Sequence, residues 1–270
     1  MGLVSRHLVI PISSHMDTIG PMTKTVKDAA YALQSIAGPD PHDNYTSAIP
    51  ADADLDFISA CRADALKGKR VGVPRNAITL MSDNTTTWST VAAFDAALDV
   101  LRSAGATVIE DADFLQAKEF LEDDLLNVQL MGGDFVVDLE KYLAHLTHNP
   151  HNITSLAQLR QWTQGSGASL EAFPKRDTGW WDMALDSWNN TESGFWDAYQ
   201  RALKYADEGG LLWAIRRYDL DAVIMPSGMA WTWAAAAGAP VVSVPLGAMP
   251  GDQMVVTGDD GMVLAAPNIP

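Results

Sequence analysis

Ser13, Ser14, His15 and Asp17 place hydroxyls, an imidazole and a carboxylate within one short stretch. If such groups converged, the imidazole could take a proton from a hydroxyl while the carboxylate oriented it, which is the chemistry of acyl transfer. The spacing argues against that arrangement, because neighbours on one loop generally point apart. Neither G-x-S-x-G nor S-x-x-K occurs anywhere in the chain, so the common nucleophile signatures are missing. The cluster reads as a structural loop. His145, His148 and His151 follow a three-residue spacing, but Pro150 separates the third from any helix carrying the first two, and no acidic ligand sits at a matching offset. They read as a histidine-bearing helix end, with no metal site and no cofactor implied.

Aromatic residues form the next candidate surface. Trp180, Trp181, Trp188 and Trp196 could face a carbohydrate or an apolar ligand, although Phe195, Tyr199 and Tyr205 share the spacing of a helix that must bury one face. Core packing accounts for most of this group. Trp231 and Trp233 differ, because they follow Met225-Pro226-Ser227-Gly228 at the end of an apolar strand pattern. In α/β folds that is where ligand crevices form. Ser227, Trp231 and Trp233 are therefore expected at a pocket wall.

The elements that must hold these groups are legible in part. Thr25 is a suitable N-cap for a helix over 26–36 that Gly38-Pro39 would stop. Arg70 to Val73 reads as a strand, Trp88 to Leu101 as a helix after an Asn84-Thr85-Thr86 cap, and Thr107 to Ile109 as a second strand. Together they form a βαβ unit with parallel strands. Helical periodicity then runs from Phe114 to Leu146 with an interruption at Gly132-Gly133, and from Glu192 to Arg217 with a break near Gly209-Gly210. Asp221 to Pro226 and Ala239 to Gly247 read as buried strands, and Asp259-Asp260-Gly261 as a hairpin turn. The expected class is α/β, with a mixed, partly parallel central sheet and helices on both faces.

Composition narrows the function classes. The 270 residues are 47% hydrophobic and carry a formal net charge of −16, with Lys67-Gly-Lys69-Arg70 as the densest basic cluster. A nucleic acid or an anionic membrane surface needs a concentrated basic patch, so neither is an expected partner. Cys61 is the only cysteine, which rules out an internal disulfide. No window of eighteen apolar residues is present, so no membrane-spanning helix is expected.

Gly2-Leu3-Val4-Ser5-Arg6, then Ile10 to Met22, then Thr25-Val26-Lys27-Asp28-Ala29-Ala30 resemble the middle of the amidase signature family. The likeness is densest over residues 2 to 50. It continues at Lys69 to Pro74, through the βαβ unit, at Met225-Pro226-Ser227, and at Ala236 to Gly247. The resemblance implies hydrolysis of non-peptide carboxylic amides by a Ser–Ser–Lys triad through an acyl-enzyme, with a small-molecule amide as substrate. In the family's order of motifs, the lysine and both serines precede this run. The resemblance thus implies one amidase-type domain fragment over 1–270 without catalytic residues of its own, inactive in isolation and similar to fungal amidases. Alternatives are a non-catalytic binding or complementation module and an incomplete gene product. Residues 111–210 correspond to a helical substrate cover. Ser13, Asp17, Thr18, Ser227 and Trp231 are the expected substrate-binding residues. An open apolar sheet edge would favour self-association.

Overall fold

A computed structural model describes residues 1–82, 85–123, 125–187, 189–249, 251–258 and 263–268. In chain order the helices begin with α1 (Val26–Ile36), a 3-10 turn at Asn44–Ala48 and α2 (Phe57–Ala60). Strand β1 (Arg70–Gly72) leads into α3 (Arg75–Met81), α4 (Thr85–Ser103) and β2 (Thr107–Ile109). Helices α5 (Ala117–Glu122), α6 (Leu126–Ala144), α7 (Leu156–Gln164), α8 (Gly179–Asp186), α9 (Ser193–Glu208) and α10 (Leu211–Tyr218) follow. The chain ends through β3 (Ala222–Val223), α11 (Ser227–Ala237), β4 (Val256–Thr257) and β5 (Val263–Ala265). It divides into two compact units: one comprises Met1–Cys61, Glu122–Lys204 and Ala235–Pro240, the other Arg62–Leu121, Tyr205–Ala234 and Val241–Pro270.

The second unit contains the sheet. β1 pairs in parallel with β2 on one side and with β3 on the other, giving the order β2-β1-β3. Parallel neighbours require a crossover, and α3 and α4 supply the one between β1 and β2. Leu98 and Phe94 of α4 bury themselves against Val73, Ile78 and Met229. Each such side chain contributes roughly 1.5–3 kcal/mol when taken out of water. Gly72 is the close-approach point, since a Cβ there would lie 2.4 Å from Leu220 Cδ1 and 2.8 Å from Ala112 Cβ. The expected α/β class with a partly parallel sheet is the one observed.

Local expectations fare unevenly. α1 keeps its predicted bounds, with the Thr25 side chain accepting from the Asp28 N–H. The predicted break between α9 and α10 is present at Gly209-Gly210. Gly132-Gly133 does not interrupt α6, because Gly132 is where α8 packs closely against it: a Cβ there would sit 3.2 Å from Ala184 Cα. The strand expected over Asp221–Pro226 shrinks to two residues at the sheet edge, with Ala222 exposed. Ala239 to Gly247 forms no strand at all, and Val241, Val242 and Val244 are more than half exposed. Its apolar character suits a ladder, but Pro240 and Pro245 bring no N–H and no neighbouring strand pairs with it among the described residues. β4 and β5 pair antiparallel, as a hairpin requires, while the Asp259-Asp260-Gly261 turn, like Asn84 and Trp188, lies outside the described residues.

Candidate functional site

The first unit begins with a segment held by charge instead of strands. Its only ladder contact near the start is an isolated bridge between Val4 and Ala37. Arg6 supplies the first anchor. Its Nε and Nη2 donate to the two Asp43 oxygens at 3.0 and 3.1 Å, and its Nη1 donates to the Ser14 carbonyl at 2.6 Å. The guanidinium lies 4.3 Å from the Tyr45 ring centroid. The Arg6 hydrogen bond holds the Asp43 carboxyl down at about 2.

Arg6 thereby fixes Ser14, and the residues on either side of Ser14 converge on helix α6. Ser13 Oγ donates to Asp134 Oδ2 at 2.5 Å. The His15 ring reaches the same carboxylate through Nδ1, at 2.9 and 3.0 Å from its two oxygens. Asn190 Nδ2 adds a third donor at 2.8 Å. Asp134 and Ser13 are both fully buried. One turn further along α6, Asp138 accepts from the Ser14 N–H at 2.9 Å and from Lys141 Nζ at 3.0 Å. Asp17 faces its own loop, where its carboxylate accepts from the N–H groups of Ile12 and Ser13 at 2.8 and 3.0 Å. Burial pushes the Asp134 carboxyl up, and the donors His15, Ser13 and Asn190 outweigh it, leaving this carboxyl below its ordinary value. At Asp17 burial wins, and the carboxyl titrates above its ordinary value. The His15 ring is packed by Phe195, Trp196 and Tyr199, with centroids 5.4, 5.5 and 4.8 Å away.

Serine, histidine and aspartate therefore do meet here, contrary to the expectation that this loop splays them apart. They meet in the wrong order for acyl transfer. A working triad passes the hydroxyl proton to the imidazole, whereas here hydroxyl and imidazole both bind one carboxylate. The Ser13 oxygen also accepts from the His15 N–H at 3.2 Å, and it has no solvent exposure. The arrangement is a clamp that pins the loop to α6. The partners missed by sequence reasoning are Asp134, Asp138 and Asn190. A signal existed in Asp134 and Asp138, since two like charges at i, i+4 weaken a helix unless something offsets them.

The other candidates are placed individually. Thr18 is exposed on the same loop. Ser227 is exposed at the first residue of α11, and Trp231 on that helix is 55% exposed. Trp233 is buried, with Phe114 and Phe120 packed edge-on at 4.6 and 4.7 Å. Helix α11 carries apolar residues on all sides, which left no period to distinguish its inner face. Of the three histidines, His145 bonds the Lys141 carbonyl through Nδ1 at 2.7 Å, and His151 stacks on Trp162. Among the described residues no group of three or more His, Cys, Asp or Glu is placed to hold a metal ion.

The family model for Amidase matches residues 1–247. The chain belongs to the amidase family. A protein named "Putative amidase" from the fungus Arthroderma benhamiae is 44% identical over all of this chain, which covers 45% of that protein. A like-named protein of Schizosaccharomyces pombe is 28% identical over 92% of the chain and 46% of its own length. Among solved structures, the peptide amidase of Stenotrophomonas maltophilia superposes with a TM-score of 0.71 at 26% identity, over 88% of this chain and 48% of that one. This amidase-family chain thus spans less than half the length of the proteins it matches. Its fold is the amidase-signature fold of those neighbours. No helix among the described residues is long and apolar enough to cross a membrane.

Proposed function

We propose that this chain serves the hydrolysis of carboxylic amide C–N bonds outside the peptide backbone, through a serine acyl-enzyme, and that the 270 residues alone do not turn substrate over. Family membership and the peptide amidase neighbour support the amide chemistry. The observation that carries the second half is the state of Ser13, fully buried and held by Asp134 instead of passing its proton to the imidazole. Other described serines engage likewise: Ser5 donates to Asp40, and Ser35, Ser47, Ser59 and Ser82 donate to backbone carbonyls. Ser13 has no solvent exposure, so no amide carbonyl reaches its oxygen in this arrangement.

In this reading the clamp is scaffold. Within the first unit it presents the loop from Ser13 to Gly20, with Asp17 and Thr18, as a surface for the substrate. Taken by themselves in the second unit, Ser227 and Trp231 expose a hydroxyl and an indole face suited to a small-molecule amide. Ammonia release from a panel of carboxylic amides tests the reading. The purified chain should release none above the uncatalysed rate. Release that disappears in Ser13→Ala would overturn the assignment of Ser13 as scaffold and the claim of inactivity together.

The exposed apolar run at Val241, Val242 and Val244 favours an accompanying reading, in which a second copy of the chain covers these residues. Light scattering across a concentration series should then give a mass above that of the monomer, and Val242→Lys should lower it.

A further inference from the structure

Between α6 and α8, within the first unit, lies a cavity of about 220 Å³. Its walls are Ile12, Met131, Phe135, Trp180, Trp181 and Met183, and no charged side chain lines it. Gly132 and Ala184 line it where the two helices come close, since a Cβ at Gly132 would lie 3.2 Å from Ala184 Cα. At the rim, Trp180 is 67% exposed, Ile12 51% and Met183 43%. A solvated tryptophan beside an exposed methionine and isoleucine leaves three large apolar groups unburied around one opening.

We propose that this cavity binds an uncharged aromatic ring carried by the amide substrate, an aryl or arylalkyl substituent. The clause about the amide rests on the function proposed above; the ring site rests on the cavity alone. Size sets the occupant: an apolar cavity of roughly 150 Å³ takes up benzene, so this one has room for a six-membered ring and a short methylene link. Chemistry selects within that size. The aromatic faces of Phe135, Trp180 and Trp181 favour edge-to-face and offset contacts with another ring. Met131 and Met183 adapt to its outline. A sugar would leave its hydroxyls without partners against this lining, and an ionised group would lose its hydration with nothing in exchange. The position also fits: Ile12, in the cavity wall, immediately precedes Ser13, whose hydroxyl and neighbouring amides are fixed by Asp134 and Asp17. A ring seated here therefore abuts the loop proposed as a surface for the substrate.

The test titrates the full chain with phenylacetamide, acetamide and ethylbenzene, following tryptophan fluorescence and the ¹³C-methyl resonances of the methionines. Phenylacetamide and ethylbenzene should bind and shift Met131 and Met183, while acetamide should bind at least about tenfold more weakly. Trp180→Ala, at an exposed rim position, and Met183→Trp, which narrows the mouth, should each weaken both aromatic probes by about five- to tenfold at unchanged thermal stability. Equal binding of acetamide and phenylacetamide, or aromatic binding untouched by both variants, would overturn the ring site. Loss of the amide reading has a separate signature: ethylbenzene and phenylacetamide would still bind here, yet no assembly containing this chain would hydrolyse the amide.

Discussion

The opening segment of the first unit and the parallel sheet of the second solve the same problem by opposite means. Residues 1–25 contain no regular element, and they are held by Arg6 on Asp43 and by three donors on Asp134. The sheet has only short strands and is held by apolar packing of α4 on β1 and its continuation at Val73. Polar clamps concentrate their stabilisation in a few groups that cannot be exchanged, because each buried donor needs its acceptor. Apolar packing spreads it over many contacts, each replaceable in kind. The difference teaches where each region is vulnerable.

The sharpest way to break the comparison is Asp134→Asn. It keeps the shape of the side chain, removes its charge, and leaves His15, Ser13 and Asn190 competing for one carbonyl. Leaving a buried donor without its acceptor costs about 1–3 kcal/mol for each group, and with several donors affected chemical denaturation should register a loss above about 3 kcal/mol. In the sheet unit, Leu98→Ala should cost about 3 kcal/mol by leaving a cavity against Val73 and Phe94. The distinguishing measurement is restoration: Met at position 98 should recover most of the loss, whereas Glu at 134 should not, because its longer side chain cannot keep three short hydrogen bonds.

Acid probes the clamp without mutation. Asp43 and Asp134 titrate below their ordinary values in the folded chain, so each contributes stability that is full above the unfolded carboxylate pKa, near 4, and is lost as pH falls through the folded value. For Asp43 that window runs from about pH 4 to about 2. Asp17 works in the opposite direction, since its raised value makes the folded state gain stability as its carboxyl protonates. The net loss expected from these groups between pH 5 and 2 is about 1–2 kcal/mol after allowance for solvent screening, and it should appear in the amides of residues 6–17. The smallest effect belongs to Thr18→Ala. Exposed on its loop, Thr18 should change stability by less than about 0.5 kcal/mol, so any larger effect on amide binding would report substrate contact directly.

The sheet region was the more readable of the two in sequence, for a physical reason. Val91, Phe94, Leu98 and Leu101 recur with helical period between two apolar triplets, and local pattern alone dictates strand, helix, strand. The clamp was opaque. Ser13, His15 and Asp17 were visible as chemistry, but Asp134 and Asn190, which decide how Ser13 and His15 are used, lie far along the chain in a stretch with no recognisable motif. The amidase resemblance located the loop without explaining what holds it. Ala239 to Gly247 misled for the converse reason: a near-continuous apolar run suits a buried strand, but a strand exists only where a neighbour pairs with it, and pairing is not encoded in the segment itself.

The hydrogen bond between Ser13 and Asp134 joins positions 121 residues apart. Closing so long a loop is entropically expensive, and nothing nearby rewards it until α6 exists to present its carboxylates. The contacts of Ser13 and His15 are therefore expected late in folding. While a ribosome is still making the chain, these two side chains must wait for their carboxylate, solvated, until more than a hundred further residues have emerged.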